Sequence, residues 1–139
     1  MRLKTNGRYA VTAMIDVAMF QDKGPVSLGD ISKRRKISQS YLEQIFAKLR
    51  RNNLVVSTRG PGGGYRINGD LNNISIASII NSIDKGSLDA TQCGTGECDC
   101  VEEYGCTCLT HSLWTDLSQV IDDYLSKVTL KSIVEKVEI

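Results

Sequence analysis

The fold is constrained most by residues 27–67, where two short amphipathic patterns are followed at once by a glycine-rich hairpin. Ser27 is placed to cap a first helix, with Asp30 as an acid in its first turn. Ile37 then leads into Ser38, which is placed to cap a second helix. The buried stripe of that helix is Tyr41, Leu42, Ile45, Phe46 and Leu49. Two such helices joined by a turn of about three or four residues predict a helix-turn-helix.

The chain after the second helix predicts a β-wing. Residues 54–57 indicate one strand and residues 65–67 its return, with Arg59 at the root of the wing. The glycines between the strands do not form a known phosphate-binding loop. The dinucleotide-binding pattern needs glycine where Tyr65 stands, and this segment lacks the Gly-Lys-Ser/Thr of a P-loop. A hairpin is therefore the better interpretation.

Helical patterns outside this segment predict three further helices. Residues 9–20 and 74–83 each carry apolar residues at helical spacing. A longer helix from about 109 to 128 has an apolar stripe too wide for a lone surface helix, which indicates a partner. The predicted fold class is mainly α with a small β-wing (α+β), a winged helix-turn-helix with a long C-terminal dimerisation helix.

The near-neutral net charge of +1 is the average of two unlike halves. Residues 1–69 contain thirteen basic and four acidic residues, whereas the remainder contains four basic and twelve acidic ones. Such asymmetry favours a polyanion-binding half joined to one that avoids phosphate. We therefore predict a winged helix-turn-helix DNA-binding domain at residues 1–70. Residues 71–139 are predicted to hold a cysteine-rich loop at about 85–108, the pairing helix at about 109–128 and a C-terminal tail.

A helix-turn-helix with a basic wing is suited to duplex DNA, because a helix fits the major groove while Lys and Arg neutralise phosphates. Candidates for base contacts are Ser38, Ser40, Glu43 and Gln44. Gln44 can pair with adenine and Glu43 can accept from cytosine N4, so Glu43 is a candidate discriminator between sites. Arg59 can enter a narrow minor groove, and the glycines allow a hairpin that presses its backbone against DNA. The alternatives are a plain α+β domain and a basic face that is only solvated.

All five cysteines lie within sixteen positions, in a stretch with little other apolar content. The cluster is Cys93, Cys98, Cys100, Cys106 and Cys108, followed by His111, the only histidine. Thiolates and an imidazole can bind zinc tetrahedrally or hold an iron-sulfur cluster. Cys108 and His111 lie within one turn at the start of a helix, which is good ligand spacing. A chance grouping of free cysteines with a surface histidine is the alternative.

The compartment and the class of protein follow from what the chain lacks. No apolar run approaches the roughly 18 residues of a spanning helix, and a signal peptide fits badly, so we expect a cytoplasmic protein. Cysteines stay reduced there, which favours metal or redox chemistry. A thiol oxidoreductase is a rival, but no Cys-x-x-Cys is present and the acidic residues around the cysteines disfavour a reactive thiolate. A module that docks a partner through its C-terminal helix is a third interpretation.

Five stretches of the chain carry a specific resemblance. They are Met1-Arg2-Leu3, Gly7-Arg8-Tyr9-Ala10-Val11-Thr12-Ala13-Met14, Ser40-Tyr41-Leu42-Glu43-Gln44, Arg59-Gly60-Pro61-Gly62-Gly63-Gly64-Tyr65 and Cys108-Leu109-Thr110-His111-Ser112-Leu113-Trp114. Together they resemble the iron-sulfur cluster regulator (IscR) family of bacterial repressors, over essentially the whole chain. The resemblance implies a homodimeric winged-helix transcription factor that ligates one [2Fe-2S] cluster through three Cys and one His and controls genes for cluster assembly.

The resemblance places the DNA-contacting residues in two grooves. The major-groove set is Ser38, Ser40, Glu43 and Gln44, and Arg59 lies in the minor groove. A dimer would bind double-stranded DNA at a pseudo-palindromic operator, with half-sites roughly 10 bp apart or a multiple of that. The cluster-assembly machinery donates the cluster and is itself controlled, so cluster occupancy would report iron-sulfur sufficiency.

The resemblance also implies a ligand set. The ligands are Cys93, one middle cysteine, Cys108 and His111. The family has about five residues on either side of the middle cysteine, whereas here Cys98 leaves four residues after the first ligand and Cys100 leaves six. We favour Cys98, with Cys100 as the alternative. Cys106 is an extra thiol beside the third ligand, so ligand exchange and zinc binding stay open.

Overall fold

The computed structural model describes residues 5–84 and 110–137, which form six α-helices and one two-stranded sheet. In chain order the elements are α1 (Thr5–Phe20), α2 (Leu28–Arg35), α3 (Gln39–Arg51), β1 (Val55–Thr58), β2 (Gly64–Ile67), α4 (Ile76–Ile83), α5 (His111–Lys127) and α6 (Leu130–Val137). Short 3-10 turns at Gln21–Lys23 and Leu71–Asn73 follow α1 and precede α4. The predicted fold class, mainly helical with a small wing, is confirmed.

Helices α2 and α3 form the predicted helix-turn-helix. The Ser27 hydroxyl accepts from the backbone N–H of Asp30 at 3.1 Å, which confirms the first predicted cap. α2 ends where Lys36 takes a left-handed conformation with φ of 57°. Ser38 stands at the N-cap position of α3, but its hydroxyl pairs with that of Ser40 at 2.9 Å and makes no capping bond. The predicted N-cap position of Ser38 is confirmed, but the predicted capping bond is not made, because this hydroxyl is directed at its neighbour rather than at the helix end.

The wing is the antiparallel pair of β1 and β2, and both strands begin and end within one residue of the prediction. β2 also pairs with Val26, which exchanges two backbone hydrogen bonds with Tyr65 at 2.8 and 2.9 Å. The side-chain oxygen of Gln21 accepts from the N–H of Ile67 at 2.9 Å. The wing is thus attached to the segment between α1 and α2 by backbone and side-chain hydrogen bonds.

The glycine run of the wing is required by the hairpin itself. Gly60 and Gly62 have φ of 96° and 74°, a region that favours glycine. A Cβ on Gly63 would lie 2.3 Å from the backbone oxygen of Thr58. A Cβ on Gly64 would lie equally close to the backbone oxygen of Val26, at 2.3 Å. The close approach at these two glycines is to the chain's own backbone. That the hairpin also presses its backbone against DNA stays a prediction.

A continuous cluster of buried apolar side chains joins α1, α2, α3, the wing, α4 and α6. Met14, Phe46 and Leu130 are among its fully buried members. α4 packs against both α1 and α3, and its N-terminus is capped by Ser75, whose hydroxyl accepts from the N–H of Ser78 at 3.1 Å. The helix-turn-helix is therefore supported from behind by the helices on either side of it in the chain.

The chain after α5 forms a helix where the sequence predicted a C-terminal tail. Thr129 stands before this helix, and its hydroxyl accepts from the N–H of Ser132 at 3.2 Å. Leu130 is fully buried, with Ile133 and Val134 packed against the core. The tail prediction was wrong because one short apolar stripe is stabilised here by packing on α1, which local pattern alone does not show.

The junction of α5 and α6 is hydrogen-bonded to the start of α4. The N–H of Ile76 donates to the oxygen of Val128 at 2.9 Å, and the N–H of Leu130 donates to the oxygen of Ile74 at 2.8 Å. These two backbone bonds form an isolated antiparallel bridge. The position of α5 is therefore tied to that of α4.

The predicted cysteine-rich loop at about 85–108 lies outside the described residues, together with all five cysteines. The predicted long helix, from about 109 to 128, is observed as α5. The division of the chain at residue 70 stays a prediction.

Candidate functional site

The exposed face of α3 brings together the residues predicted to contact bases. Ser38, Ser40, Glu43 and Gln44 are all exposed. The buried residues of the helix are Leu42, Ile45, Phe46 and Leu49, so its polar side faces away from the core. The face presents hydroxyls, an amide and a carboxylate on one side of a single helix. Such a surface can pair with the donors and acceptors of base edges in a major groove.

Contacts at both ends of α3 fix its orientation. The ring of Tyr41 meets that of Tyr9 edge-on, with centroids 5.5 Å apart. The ammonium of Lys48 donates to the backbone oxygen of Ile83 at 3.3 Å, at the end of α4. Gln44 lines a small cavity between these contacts. α3 is thus held against α1 and α4.

Arg59 lies at the tip of the wing and not at its root. The last cross-strand pair joins Thr58 to Gly64, and Arg59 is the first residue beyond that pair. Its side chain is exposed. The root prediction was wrong because Arg59 belongs to the connection between the two strands, which forms the tip of the wing. A guanidinium at the tip of a two-stranded wing is well placed to reach a second groove beside a helix.

Asp16 is a buried site residue that the sequence analysis missed. It is fully buried in α1, and its carboxylate accepts three hydrogen bonds from two arginines of α2. Nε and Nη2 of Arg34 donate at 3.1 and 2.6 Å, and Nε of Arg35 donates at 2.7 Å. The guanidinium of Arg34 also stacks on the ring of Phe20, 4.2 Å from its centroid. An acid on the apolar stripe of a helix was the signal, because a buried carboxylate requires a partner.

The electrostatics of this cluster keep Arg34 charged. The pKa of its guanidinium is raised above the ordinary value, chiefly because the side chain hydrogen-bonds to Asp16. Partial burial opposes that shift, and the negative charges of Asp16 and Asp30 support it. Two members of the basic run 33–36, Arg34 and Arg35, thus bond a carboxylate within the protein.

α5 leaves an apolar stripe uncovered. Its most exposed apolar residues are Leu113, Leu117, Val120 and Tyr124, which are 56%, 37%, 63% and 66% exposed. Their spacing of four, three and four residues is that of a two-helix seam. Other apolar residues of α5, Ile121 and Leu125, pack against the core. A second apolar surface is needed to cover the stripe.

His111 is the one predicted ligand within the described residues. It is the first residue of α5 and is half-buried, with Nε2 at 3.5 Å from the hydroxyl of Thr115. That distance is long for a hydrogen bond, so the ring is not committed to this neighbour. Cys93, Cys98, Cys100 and Cys108 lie outside the described residues. In residues 5–84 and 110–137 no group of three or more His, Cys, Asp or Glu side chains could hold a metal ion.

The helices of the described segments are all too short or too polar to cross a membrane.

Comparison with known proteins gives concordant matches over the whole chain. A family model described as Rrf2, iron-dependent transcriptional regulator, matches residues 3–136. The HTH-type transcriptional regulator IscR of Vibrio campbellii is 51% identical over 140 residues, which cover 100% of this chain and 80% of that protein. Both are named as regulators of transcription and not as enzymes.

Two solved structures share the fold. T. potens IscR is similar with a TM-score of 0.79 and 33% identity, over 99% of this chain and 89% of that one. CymR, described as the global cysteine regulator of B. subtilis, is similar with a TM-score of 0.79 and 28% identity, over 99% of each chain.

Proposed function

The chain belongs to the Rrf2 family of transcriptional regulators, and we propose that it is a homodimeric DNA-binding regulator that senses iron-sulfur status through a [2Fe-2S] cluster and controls cluster-assembly genes. The observation that carries the proposal is the exposed polar face of α3, held on a buried apolar core beside a wing that ends in Arg59. Such a surface offers polar groups for base edges and cations for phosphates. A thiol oxidoreductase is set aside, because the relatives are named as transcriptional regulators.

In the proposed complex α3 enters the major groove and Arg59 the minor groove. Gln44 can form two hydrogen bonds with adenine, and the hydroxyls of Ser38 and Ser40 can donate or accept. Glu43 accepts from cytosine N4 and repels a misplaced phosphate, so it selects among sites more than it adds affinity. The Ser38–Ser40 hydrogen bond keeps both hydroxyls at the start of the helix, where a recognition helix contacts bases.

The proposed dimer forms through the apolar stripe of α5. Two copies that pair their stripes about a two-fold axis would bury Leu113, Leu117, Val120 and Tyr124 on both sides. Two reading helices related by that axis match a pseudo-palindromic operator, with half-sites roughly 10 bp apart or a multiple of that.

The proposed cluster ligands are Cys93, Cys98, Cys108 and His111, with Cys100 as the alternative to Cys98. Three thiolates and an imidazole are a soft donor set that suits a [2Fe-2S] cluster, and the ring of His111, which within the described residues makes only the long contact of 3.5 Å with Thr115, fits that use. When bound, such a cluster supplies one-electron chemistry at a potential that histidine ligation raises. His111 ligates only when neutral and begins α5, so it joins the ligand set directly to the pairing helix.

The proposed regulation is feedback. Cluster-assembly machinery in the cytoplasm donates the cluster, and the genes for that machinery are the targets. Occupancy of the ligand set then biases the geometry of the dimer and its affinity for the operator.

The test is a selection of bound DNA from a random duplex pool, with anaerobically purified protein and with iron-depleted protein, and with iron measured on both samples. We expect coloured protein with about two irons per chain, a pseudo-palindromic consensus, and a change in selected sites or in yield when iron is removed. The variant Glu43→Ala should select a more degenerate base at one position in each half-site, while Glu135→Ala in α6 should not. A consensus without two-fold symmetry, or one that Glu43→Ala leaves unchanged, would contradict the DNA-reading proposal.

A zinc-stabilised or thiol-sensing regulator is the second candidate. The sequence favours it through two thiols beyond the required three, and a solved relative is described as a cysteine regulator. Colourless protein that keeps one zinc per chain through dialysis would support the zinc form. DNA binding that responds to thiol oxidation without iron would support the thiol sensor.

A further inference from the structure

The carboxylate of Asp16 is met by more positive charge than its burial requires. One guanidinium neutralises a buried carboxylate, and Arg34 alone does so through two hydrogen bonds at 2.6 and 3.1 Å. Arg35 adds a second guanidinium at 2.7 Å. The cluster of Asp16, Arg34 and Arg35 therefore carries one surplus positive charge at the surface.

The two arginines are held differently. Arg34 is fixed by two hydrogen bonds and by its stacking on Phe20 at 4.2 Å. Arg35 is bonded to Asp16 only through Nε, and within the described residues its two terminal nitrogens make no hydrogen bond. Its side chain is 34% exposed. Arg34, at nearly the same exposure of 33%, is thus the anchor, while Arg35 is fixed at Nε alone.

The cluster lies on the helix that faces the DNA backbone. In a helix-turn-helix the first helix crosses the phosphate backbone while the second occupies the major groove. Arg35 ends the first helix, and the exposed residues Lys33 and Lys36 flank the pair. A guanidinium binds phosphate through paired N–H groups, and one that is already fixed at Nε loses less side-chain freedom on binding.

We propose that Asp16 is a positioning residue that holds Arg35 ready to bind a backbone phosphate of the operator when α3 lies in the major groove. The inference rests on the proposed DNA-reading role of α3. It goes beyond that role because Asp16, a buried carboxylate that does not contact DNA, would control the binding of one phosphate through Arg35.

The decisive comparison is between two acids whose replacement changes the net charge equally. Asp30→Asn removes an exposed carboxylate from α2 and should tighten duplex binding about twofold to threefold through charge alone. Asp16→Asn makes the same change of charge but releases Arg35, and should weaken binding about tenfold. Binding is measured by fluorescence anisotropy on full-length protein, with circular dichroism melting on the same samples. Binding by Asp16→Asn as tight as that by Asp30→Asn would overturn the proposal.

A second pair of variants decides the question if Asp16→Asn does not fold. Arg35→Gln should lower the slope of log affinity against log salt by about 0.9, the value for one phosphate contact, and leave the melting temperature unchanged. Arg35→Lys keeps the charge but loses the bond through Nε, and should bind about threefold to tenfold more weakly than the wild type. Lys131→Gln in α6 is the matched charge control and should keep the wild-type slope.

The DNA-binding role of α3 and the phosphate-binding role of Arg35 can be disproved independently. A wild-type chain that binds no duplex would remove the DNA-reading proposal itself. A wild-type chain that binds its operator, with Arg35→Gln keeping the full salt slope, would remove only the role of Arg35 and Asp16.

Discussion

Helices α3 and α5 are both amphipathic, yet their apolar sides are covered in opposite ways. The four buried apolar residues of α3 are at most 3% exposed. α5 has no buried residue, and its stripe from Leu113 to Tyr124 is 37% to 66% exposed. α3 thus leaves polar groups for a polar duplex, whereas α5 leaves apolar surface for a second apolar surface. The chemistry of the side that stays exposed after folding therefore indicates which kind of surface each helix can bind.

The largest effect is expected on stability, when a buried side chain of α3 is removed from the core. Phe46 is fully buried, and its ring lies 4.8 Å from that of Tyr65 in the wing. Phe46→Ala should lower the free energy of unfolding by about 3–5 kcal/mol, because it opens a cavity between the helix and the wing. Urea unfolding followed by circular dichroism measures the loss. Gln44→Ala on the exposed side should change the unfolding free energy by less than about 0.5 kcal/mol.

The next largest effect is expected on self-association, when a charge is placed on the exposed apolar stripe of α5. Leu117→Glu places a carboxylate on the apolar stripe and should weaken self-association at least about 100-fold, or about 3 kcal/mol, because the charge would be buried without a partner. Sedimentation equilibrium measures the dissociation constant. Ser126→Glu adds the same charge at an exposed position of the same helix, on the side away from the stripe, and should leave association nearly unchanged. Equal dissociation constants for both variants would place the pairing surface elsewhere.

A smaller effect is expected at the wing tip. Arg59→Ala should weaken operator binding about tenfold and reduce the salt slope by about 0.9, if the guanidinium lies near a phosphate. Stability should not change, because the side chain is exposed. Anisotropy titrations at several salt concentrations report both quantities, with Lys136→Ala as a control in α6. An unchanged operator affinity would remove Arg59 from the interface.

The smallest effect separates two serines at helix starts. Ser27→Ala removes a hydroxyl that accepts from the N–H of Asp30 at 3.1 Å and should cost about 1 kcal/mol of stability. Ser38→Ala removes a hydroxyl that bonds only Ser40, and should cost less than about 0.5 kcal/mol. The two losses of stability are compared from the denaturant midpoints of unfolding, provided that both variants unfold with the same m-value. Equal losses would show that Ser38 caps α3 in solution.

Local features of this fold were predictable because their causes lie within a few residues. The Ser27 cap and the wing follow from side chains next to the backbone that they bond, and both are observed. Ser40, Glu43 and Gln44 share the exposed face of α3 because helical periodicity places them opposite the core. Ser38 is exposed beside them because it stands at the N-cap, outside the helical repeat.

Features that depend on distant partners were not predictable. Asp16 accepts hydrogen bonds from arginines that lie 18 and 19 positions away in the sequence. The helical pattern therefore showed an acid in an apolar stripe but could not identify its partners. Leu130 is buried by packing with other helices, and a short apolar pattern without that context indicated a tail. Of the proposed cluster ligands only His111 falls in the described residues, so the choice between Cys98 and Cys100 stays a prediction.

Two backbone hydrogen bonds join the start of α4 to residues 128–130, directly after α5. They fix this end of α5 and form a pivot, the point about which α5 can tilt. α5 has 17 residues and is roughly 25 Å long. A tilt of about 5° at the pivot would therefore move its far end by about 2 Å. α4 is bonded to the pivot at its start, and the oxygen of Ile83 at its end accepts from Lys48 of α3, so one helix connects the base of α5 with α3. In the dimer that we propose, the angle at this pivot would set the distance between the two copies of α3.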